Sequence, residues 1–377
     1  AQARNRSRGL LSERAARGGW HLTGGSIGSP AKFYWGKEDA LARRRYQYRS
    51  FAMWGADIFD RVAFLWGHGA SFAPGLEGHM ARIRRPIEDW LRNRMRLSPY
   101  RVARDDLHRY LKRIAAFRPV MLYAYSTSAY LLAQEALETG FHCPSLKFVV
   151  LTAEPAFPHI VEAVESAFGV PAIVEYGSSD CGFVAGEWLD RTLRVRDDGT
   201  LVETLPRDDG RYDIVATLLD NPSFPLIRYV TDDFTDAPAD VPRRGFTILD
   251  NVAGRSNDSI VSGSGRLVHA TLLYEIIEYE KAVLYYQLHQ LADGTVRVAV
   301  QLKKASGSLN AEKLRRKVAA ALEGRDVEVE VFDVLPQSPA GKHRWIVSDM
   351  AGRADDAGST PQWPDSEPSH NLVEKGS

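Results

Sequence analysis

The stretch LKFVVLTAEPAFPHIVEAVESAFGVPAIVEYGSSD, residues 146–180, contains two short apolar runs separated by an amphipathic segment. Within that segment Ile160, Val164 and Phe168 recur at helical spacing. The order strand, helix, strand predicts a parallel sheet covered by helices, so we expect the α/β fold class. Ligands bind such sheets where strands give way to loops, so the loops after the two runs are candidate binding sites.

The sequence before this unit, residues 40–121, is predicted to be mostly helical. Leu107, Leu111 and Ile114 stand at i, i+4 and i+7, with Arg and Lys on the other faces. The many arginines of 82–118 raise the hypothesis of nucleic-acid binding. A solvated helix face is the better interpretation, because interleaved stacking aromatics and a known binding module are absent.

The last third of the chain changes character. A hairpin is predicted around the turn Asp293–Gly294, followed by a helix capped at Asn310 and ended by Gly324. The run VEVEVF, residues 327–332, alternates as a half-buried strand does. These elements predict a small α+β domain of roughly 90 residues, which we interpret as a lid.

The composition limits the classes of partner. Lys plus Arg and Asp plus Glu both number 48, so no net charge attracts nucleic acid or an anionic membrane. No apolar run approaches the ~20 residues of a membrane helix, and nothing resembles a secretory signal. The two cysteines, Cys143 and Cys181, are typical of a reducing compartment. We expect a cytoplasmic protein with a small-molecule partner, no nucleic-acid partner and no membrane.

The segment TGGSIGSP, residues 23–30, combines three glycines with three hydroxyl side chains. Main-chain N–H groups in such a turn converge on phosphate oxygens, because glycine permits positive φ values and close approach. The segment matches neither G-x-x-x-x-G-K-[ST] nor G-x-G-x-x-G. From these residues alone, a plain surface turn and a loop that holds an anion both remain open.

Six segments, taken in order, carry a resemblance to one family. TGGSIGSP is similar to T-G-G-[ST]-T-G-x-P, TAEP (152–155) to G-A-E-P, YGSSD (176–180) to Y-G-x-[ST]-E, RYVTDD (228–233) to R-Y-x-T-G-D, GRSND (254–258) to G-R-x-D-D, and SPAGKHRWIV (338–347) to S-x-x-G-K-x-R. Each is unspecific alone, but all six occur in the family's order across residues 23–347. The chain thus resembles the adenylate-forming, acyl-activating enzymes, in the branch of phenylacetate-CoA ligase and its capsule-biosynthesis relatives.

The resemblance implies a domain organisation. A large N-terminal adenylate-forming domain, with mixed sheets covered by helices, is expected over 1–256, and a small mobile α+β lid over 257–351. Residues 352–377 are rich in Pro, Ser, Asp and Gly and are predicted to be a disordered tail. Relatives carry several tens of residues before the glycine-rich loop, so the N-terminal domain is expected to lack its first segment, whether trimmed or naturally short. The Arg-rich opening, 1–19, is interpreted as the end of a helix whose beginning was removed, although a transit peptide has a similar composition.

The resemblance also implies a reaction. A substrate carboxylate attacks the α-phosphorus of ATP, giving an acyl adenylate and pyrophosphate, with Mg²⁺ held against the phosphates. The acyl group then passes to CoA, or to another thiol or amine acceptor such as a carrier protein. Positioning and charge stabilisation are expected to dominate the first half-reaction, as in phosphoryl transfer generally.

Roles carry over to individual residues of this chain. Lys342 is expected to bridge the carboxylate and the α-phosphate as charge builds in the transition state. Asp233 is expected to accept hydrogen bonds from the ribose hydroxyls, with Asp232 as the alternative if the alignment shifts by one. Arg255 is expected to contact the ribose or phosphate side of the nucleotide, or else to form an interdomain salt bridge. Tyr176 is expected to offer a flat face to adenine, and the alternative is a buried tyrosine packed at a strand end. Nucleotide binding is further assigned to Thr23, Gly24, Gly25, Ser26, Gly28, Ala153, Glu154, Pro155, Gly177 and Ser179.

The acyl pocket is expected near three residues. Trp66, His68 and Tyr125 fall where relatives line that pocket. His68 is interpreted either as a structural histidine or as a group that positions the carboxylate. Cys181 belongs to no zinc-ligand pattern and is predicted to be buried packing.

Three positions depart from the family pattern. Ile27 replaces a hydroxyl residue of the phosphate loop, and Asn257 replaces the hinge aspartate. Asp180 takes the place of the glutamate that helps to bind Mg²⁺ and is one methylene shorter. These departures motivate an alternative, a catalytically degenerate adenylate-binding or scaffold protein of the same fold.

Overall fold

The computed structural model describes residues 11–13, 15, 17–22, 32–66, 86–99, 104–208, 210–242, 245–250, 252–255, 259–265, 267–269, 273, 276–277, 280, 282–303, 309–332, 335 and 346–349. They fall into two compact units, the first reaching Gly254 and the second starting at Arg255. The predicted domain boundary at 256 and the predicted tail, 352–377, lie outside the described residues.

The chain up to Arg255 alternates strands and helices and then continues in strands. In order the elements are β1 (Gly18–Leu22), β2 (Lys32–Gly36), α1 (Lys37–Met53), β3 (Val62–Leu65), β4 (Arg94–Leu97), α2 (Arg104–Phe117), β5 (Met121–Tyr125), α3 (Ser126–Thr139), β6 (Phe148–Thr152), α4 (Pro158–Phe168), β7 (Ala172–Ser178), β8 (Gly182–Glu187), β9 (Leu193–Val195), β10 (Thr200–Pro206), β11 (Tyr212–Leu218), β12 (Tyr229–Thr235), β13 (Ile248–Leu249) and β14 (Val252–Arg255).

An eight-stranded mixed sheet forms the centre of this unit, in the order β13-β9-β8-β7-β6-β5-β3-β4. The strands β4, β3, β5, β6 and β7 are parallel, and β8, β9 and β13 add to them antiparallel. Every residue of β5 and β6 is buried. Strands covered on both faces have near-continuous apolar sequences, as these do.

The predicted unit over 146–180 is confirmed: β6 and β7 are parallel neighbours joined through α4. Ile160 and Val164 are fully buried, so the apolar stripe of α4 faces the sheet. The helix begins with Pro158, whose missing N–H has no intrahelical partner to lose there. It ends at Gly169, which takes the left-handed conformation with φ 67°.

The prediction for 40–121 is right in part. Helix α2 carries Leu107, Leu111 and Ile114 into the core. The expectation of a mostly helical segment is wrong at β3 and β4, which join the central sheet. Each of these strands has four residues, too few for an alternating pattern to be distinguished from a buried helical turn.

A second, four-stranded sheet has the order β10-β11-β12-β14. A cluster of buried side chains joins it to the central sheet: Phe33 and Trp35 of β2, Tyr176 of β7, Val184 of β8, Val202 of β10, and Ile214 and Ala216 of β11. This shared core fixes β12 against the end of β7.

The chain from Arg255 forms the second unit, a small α+β fold as predicted. Its elements are β15 (Ser259–Val261), β16 (Leu267–His269), β17 (Val283–Gln290), β18 (Val296–Leu302), α5 (Ala311–Ala321), β19 (Val327–Phe332) and β20 (Ile346–Ser348). The main sheet has the order β19-β18-β17-β20, and β17 and β18 form the predicted antiparallel hairpin. Asn310 caps α5 by accepting the Lys313 N–H at 2.8 Å. None of the described helices is both long enough and apolar enough to cross a membrane.

Candidate active site

The carboxyl edge of the parallel strands gathers the candidate residues. Trp66 follows β3, Tyr125 ends β5, Ala153 follows β6, and Tyr176 lies near the end of β7. Because the carboxyl ends of parallel strands meet at one edge of the sheet, residues from four separate segments come together here.

The segment Ala153–Pro155 is tied to the start of α3. Ser126 Oγ donates to the Glu154 carbonyl oxygen at 3.0 Å, and Glu154 Oε2 accepts the Thr127 N–H at 3.0 Å. The Glu154 carboxylate therefore caps α3, whose own N-cap residue, Tyr125, supplies no side-chain bond. Ala153 has φ 66°, a left-handed conformation that costs a non-glycine residue about 1 kcal/mol or more. The side chain of Glu154 therefore has a structural role as the cap of α3, and the backbone of the turn at Ala153 is constrained.

Tyr176 connects the central sheet with the second sheet. Its hydroxyl donates to Asp233 Oδ2 at 3.0 Å and lies 3.3 Å from Thr231 Oγ1, both on β12. Burial raises the pKa of Tyr176 well above its usual range, and the charge of Asp233 raises it further. The phenol stays protonated and acts as a donor, so it holds the Asp233 carboxylate beside β7.

The turn between β7 and β8 carries Asp180. Its Oδ1 accepts the Cys181 N–H at 3.1 Å, and Ser178 Oγ accepts the same N–H at 3.1 Å. A Cβ at Gly177 would overlap the Gly182 carbonyl oxygen, so the close approach of the two strands requires glycine at 177. Cys181 is fully buried, as predicted, and burial raises the pKa of its thiol well above the usual range. That thiol is not a nucleophile.

Asp180 is the acidic side chain at this turn that could bind a magnesium ion. No group of three His, Cys, Asp or Glu side chains is positioned to bind a metal within the described part of the chain. Asp180 uses Oδ1 for the Cys181 N–H, and among the described residues its Oδ2 accepts no hydrogen bond. A single carboxylate oxygen suits Mg²⁺ that takes its other ligands from nucleotide phosphates and water.

Two of the predicted acyl-pocket residues, Trp66 and Tyr125, pack together with Tyr123 in a cluster that we call the aromatic wall. The ring centroid of Trp66 lies 4.4 Å from that of Tyr125 and 5.3 Å from that of Tyr123. Tyr123 and Tyr125 are buried and Trp66 is half-buried, so this tilted aromatic packing forms a rigid apolar cluster towards the end of β3 and β5.

The structure also reveals a buried carboxylate that sequence reasoning missed. Glu175 Oε1 accepts from Tyr123 Oη at 2.5 Å, and Gln47 Nε2 donates to both carboxylate oxygens at 3.0 Å. Burial raises the pKa of Glu175 to about 7, against the opposing effect of these hydrogen bonds. A glutamate inside the apolar run AIVEYGS was the one signal available, because its partners lie in two distant segments.

The chain is similar in sequence to named proteins. No protein-family model matches it. Protein CapK of Staphylococcus aureus is 21% identical over 340 residues, covering 87% of this chain and 74% of CapK. Phenylacetate-coenzyme A ligase of Escherichia coli (strain K12) is 25% identical over 313 residues, covering 78% of this chain and 68% of that enzyme.

These similarities support the adenylate-forming superfamily, in the branch of phenylacetate-CoA ligase and CapK that the motifs predicted, and they support the class of the AMP-forming acyl ligases. The same fold occurs in a crystal structure of 2-hydroxyisobutyryl-CoA ligase in the postadenylation state with R3-HIB-AMP. That structure is 17% identical, with a TM-score of 0.65 and coverage of 87% of this chain and 73% of the other.

Several assignments made by analogy with adenylate-forming enzymes remain predictions. The structure brings Ala153, Glu154, Pro155, Tyr176, Gly177, Ser179, Asp180 and Asp233, together with Trp66 and Tyr125, into the first unit. Outside the described residues lie Lys342, His68, Asn257, and Thr23, Gly24, Gly25, Ser26, Ile27 and Gly28 of the phosphate loop. Arg255 ends β14, and neither its side chain nor that of Asp232 is described.

Proposed function

We propose that this adenylate-forming protein activates a carboxylic acid with ATP, releasing pyrophosphate, and passes the acyl group to the thiol of CoA. The observation that carries the proposal is the contact between Tyr176 and Asp233 beside the constrained segment Ala153–Pro155. In the family, these positions belong to the adenine and ribose side of the nucleotide.

The described residues suit that chemistry. The Asp233 carboxylate is an acceptor for the two ribose hydroxyls, and Tyr176 fixes its direction. Asp180 would hold Mg²⁺ through a carboxylate oxygen, and the ion would neutralise charge on the phosphate chain. Lys342 would supply the positive charge between the carboxylate and the α-phosphate, and the loop 23–30 would bind phosphate through main-chain N–H groups.

The aromatic wall indicates which class of carboxylic acid is the substrate. The half-buried Trp66 packs on the buried Tyr125 at the carboxyl ends of β3 and β5, which favours an acid with an apolar or aromatic acyl group. The named relative is a phenylacetate-CoA ligase, which supports an acid of this kind and CoA as the acceptor. A carrier-protein thiol or an amine is the alternative acceptor. The described cysteines, Cys143 and Cys181, are buried free thiols, which supports a cytoplasmic setting.

A second candidate is a catalytically degenerate adenylate-binding or scaffold protein of the same fold. Asp180 favours it, because this shorter acid already gives Oδ1 to the Cys181 N–H. Ile27 and Asn257 depart from the family in the same sense.

Exchange of labelled pyrophosphate into ATP distinguishes the two candidates. With Mg²⁺ and a panel of aromatic and aliphatic carboxylates, an acyl ligase gives exchange that depends on one class of acid. Thioester formation with CoA, compared with an amine and a carrier-protein thiol, then identifies the acceptor. Measurable ATP binding with no exchange for any acid, in the intact protein, would exclude the ligase and support the degenerate protein.

A further inference from the structure

Arg43 of α1 lies at the same edge of the molecule as the Asp180 turn. Its guanidinium stacks over the ring of Trp35, 5.0 Å from the centroid, and Trp35 Nε1 donates to the Ser179 carbonyl oxygen at 3.4 Å. The stem of Arg43 packs so closely on Gly182 that a Cβ there would overlap Arg43 Cδ. Arg43 is therefore held against the turn between β7 and β8.

The Arg43 guanidinium has no hydrogen-bond acceptor and no carboxylate partner among the described residues. Two other arginines are paired: Arg49 of the same helix contacts Asp198 at 2.6 Å, and Arg196 pairs with Asp220. The Glu175 carboxylate is close enough to act on Arg43 electrostatically, but it is hydrogen-bonded to Tyr123 and Gln47. Arg43 is half-buried, and burial lowers its pKa. A guanidinium with five donors is expensive to desolvate without an acceptor.

The surroundings indicate what the acceptor is. His21 of β1 lies near enough for the charge of Arg43 to lower its pKa, in addition to burial. The strands β1 and β2 pair up to Leu22 and Lys32, the residues that flank the glycine-rich segment. Arg43 thus lies beside the strands that lead into and out of that segment, and beside the Asp180 turn.

We propose that Arg43 binds the phosphate chain of the nucleotide. The assignment rests on the proposed function, in which Asp180 lies on the phosphate side of the site. The planar guanidinium presents paired N–H donors that match two phosphate oxygens. A substrate carboxylate shares this oxyanion chemistry, but the aromatic wall of Trp66 and Tyr125 marks the acyl side on other strands.

The test compares ligands with and without phosphates. Calorimetric affinities for ATP, inorganic pyrophosphate and adenosine are measured for the wild-type protein, Arg43→Gln and the matched control Arg49→Gln. We expect Arg43→Gln to bind ATP and pyrophosphate about 10- to 100-fold more weakly and adenosine within about twofold of wild type. Arg49→Gln loses an exposed charge from the same helix and should change none of the three. An unchanged ratio of ATP to adenosine affinity in Arg43→Gln overturns the proposal.

Two further variants distinguish the loss of a phosphate contact from misfolding of Arg43→Gln. Arg43→Lys keeps the charge without the paired donors and should fall between wild type and Arg43→Gln. Gly182→Ala displaces the Arg43 side chain and strains a residue with φ 72°, so a folded variant should show the same selective loss. A rise in KM for the carboxylate with unchanged affinity for ATP and pyrophosphate assigns Arg43 to the acid and overturns the phosphate assignment.

These binding measurements separate the assignment from the proposed function. A wild-type protein that binds ATP but gives no pyrophosphate exchange contradicts the ligase, while the Arg43 ratio still decides the phosphate contact. A wild-type protein that binds neither ATP nor pyrophosphate overturns the assignment of Arg43.

Discussion

Tyr176 and Asp233, which belong to different sheets, are joined by a hydrogen bond of 3.0 Å from the tyrosine hydroxyl to Asp233 Oδ2. Tyr176 is fixed near the end of the last parallel strand, and Asp233 is fixed on β12. The buried core shared by the two sheets keeps these strands adjacent. Two motifs separated by more than fifty positions therefore act as one structural feature.

Asp233→Asn tests the ribose contact. The amide oxygen still accepts from Tyr176, but the charged acceptor for the ribose hydroxyls is lost. We expect ATP to bind about 10- to 100-fold more weakly, because hydrogen bonds to charged groups are the stronger ones. Wild type should prefer ATP over 2′-deoxy-ATP, and the variant should lose that preference. If both proteins discriminate the two nucleotides equally, Asp233 does not contact the ribose.

Glu154→Ala should destabilise the protein through α3. Removing the carboxylate leaves the Thr127 N–H without its acceptor at the start of the helix. Loss of a helix cap lowers the free energy of unfolding by about 1 kcal/mol, measurable by urea denaturation. Glu162→Ala, an exposed acid of α4, is the control and should change stability by less than about 0.5 kcal/mol. Equal effects of the two variants would show that the cap contributes nothing.

Ala153→Gly should stabilise the protein or leave its stability unchanged. Glycine adopts the φ of 66° without strain, although it also increases the entropy of the unfolded chain. The net gain in the free energy of unfolding is expected between zero and about 1 kcal/mol. The same substitution at Ala163, inside α4, should instead lower stability by about 1 kcal/mol. A loss at Ala153 as large as that at Ala163 would show that the turn is not strained.

The parts of the fold that could be predicted are those with a local signal. The unit over 146–180 joins two apolar runs to a helix with its own period, and the chain connects them directly. The strands β3 and β4 have no such signal, because four apolar or alternating residues fit a helical turn as well. Their place in the sheet follows from the pairing of β3 with β5 and of β4 with β3, contacts that no local pattern encodes.

The residues of the candidate site are likewise of two kinds, those that a local sequence motif predicts and those that only the folded structure reveals. Tyr176, Asp180 and Asp233 stand in motifs that are read from a few consecutive letters. Arg43 and Glu175 belong to no such motif. Their surroundings are assembled from α1, β2, β5 and the turn after β7. Only the folded chain shows that the Arg43 guanidinium has no acceptor among the described residues and that Glu175 is buried in a hydrogen-bond network.

Glu175 should make the stability of the protein depend on pH between about 4.5 and 7. Its pKa is raised from 4.5 to about 7 in the folded state, mainly by burial, so the folded chain binds more protons than the unfolded chain in this window. Stability should therefore fall as pH rises from about 5 to about 7, by about 3 kcal/mol at about 1.4 kcal/mol per pH unit, and change little above that. Glu175→Gln keeps the shape and removes the titration, so its free energy of unfolding, relative to wild type, should be more favourable at pH 8 than at pH 5.

Urea denaturation of wild type and Glu175→Gln at four pH values measures this difference in the free energy of unfolding. The control is Glu162→Gln, which removes an exposed carboxylate of α4 instead of a buried one. Parallel pH profiles for wild type and Glu175→Gln would mean that Glu175 is ionised throughout this range and that its hydrogen bonds with Tyr123 and Gln47 outweigh its burial.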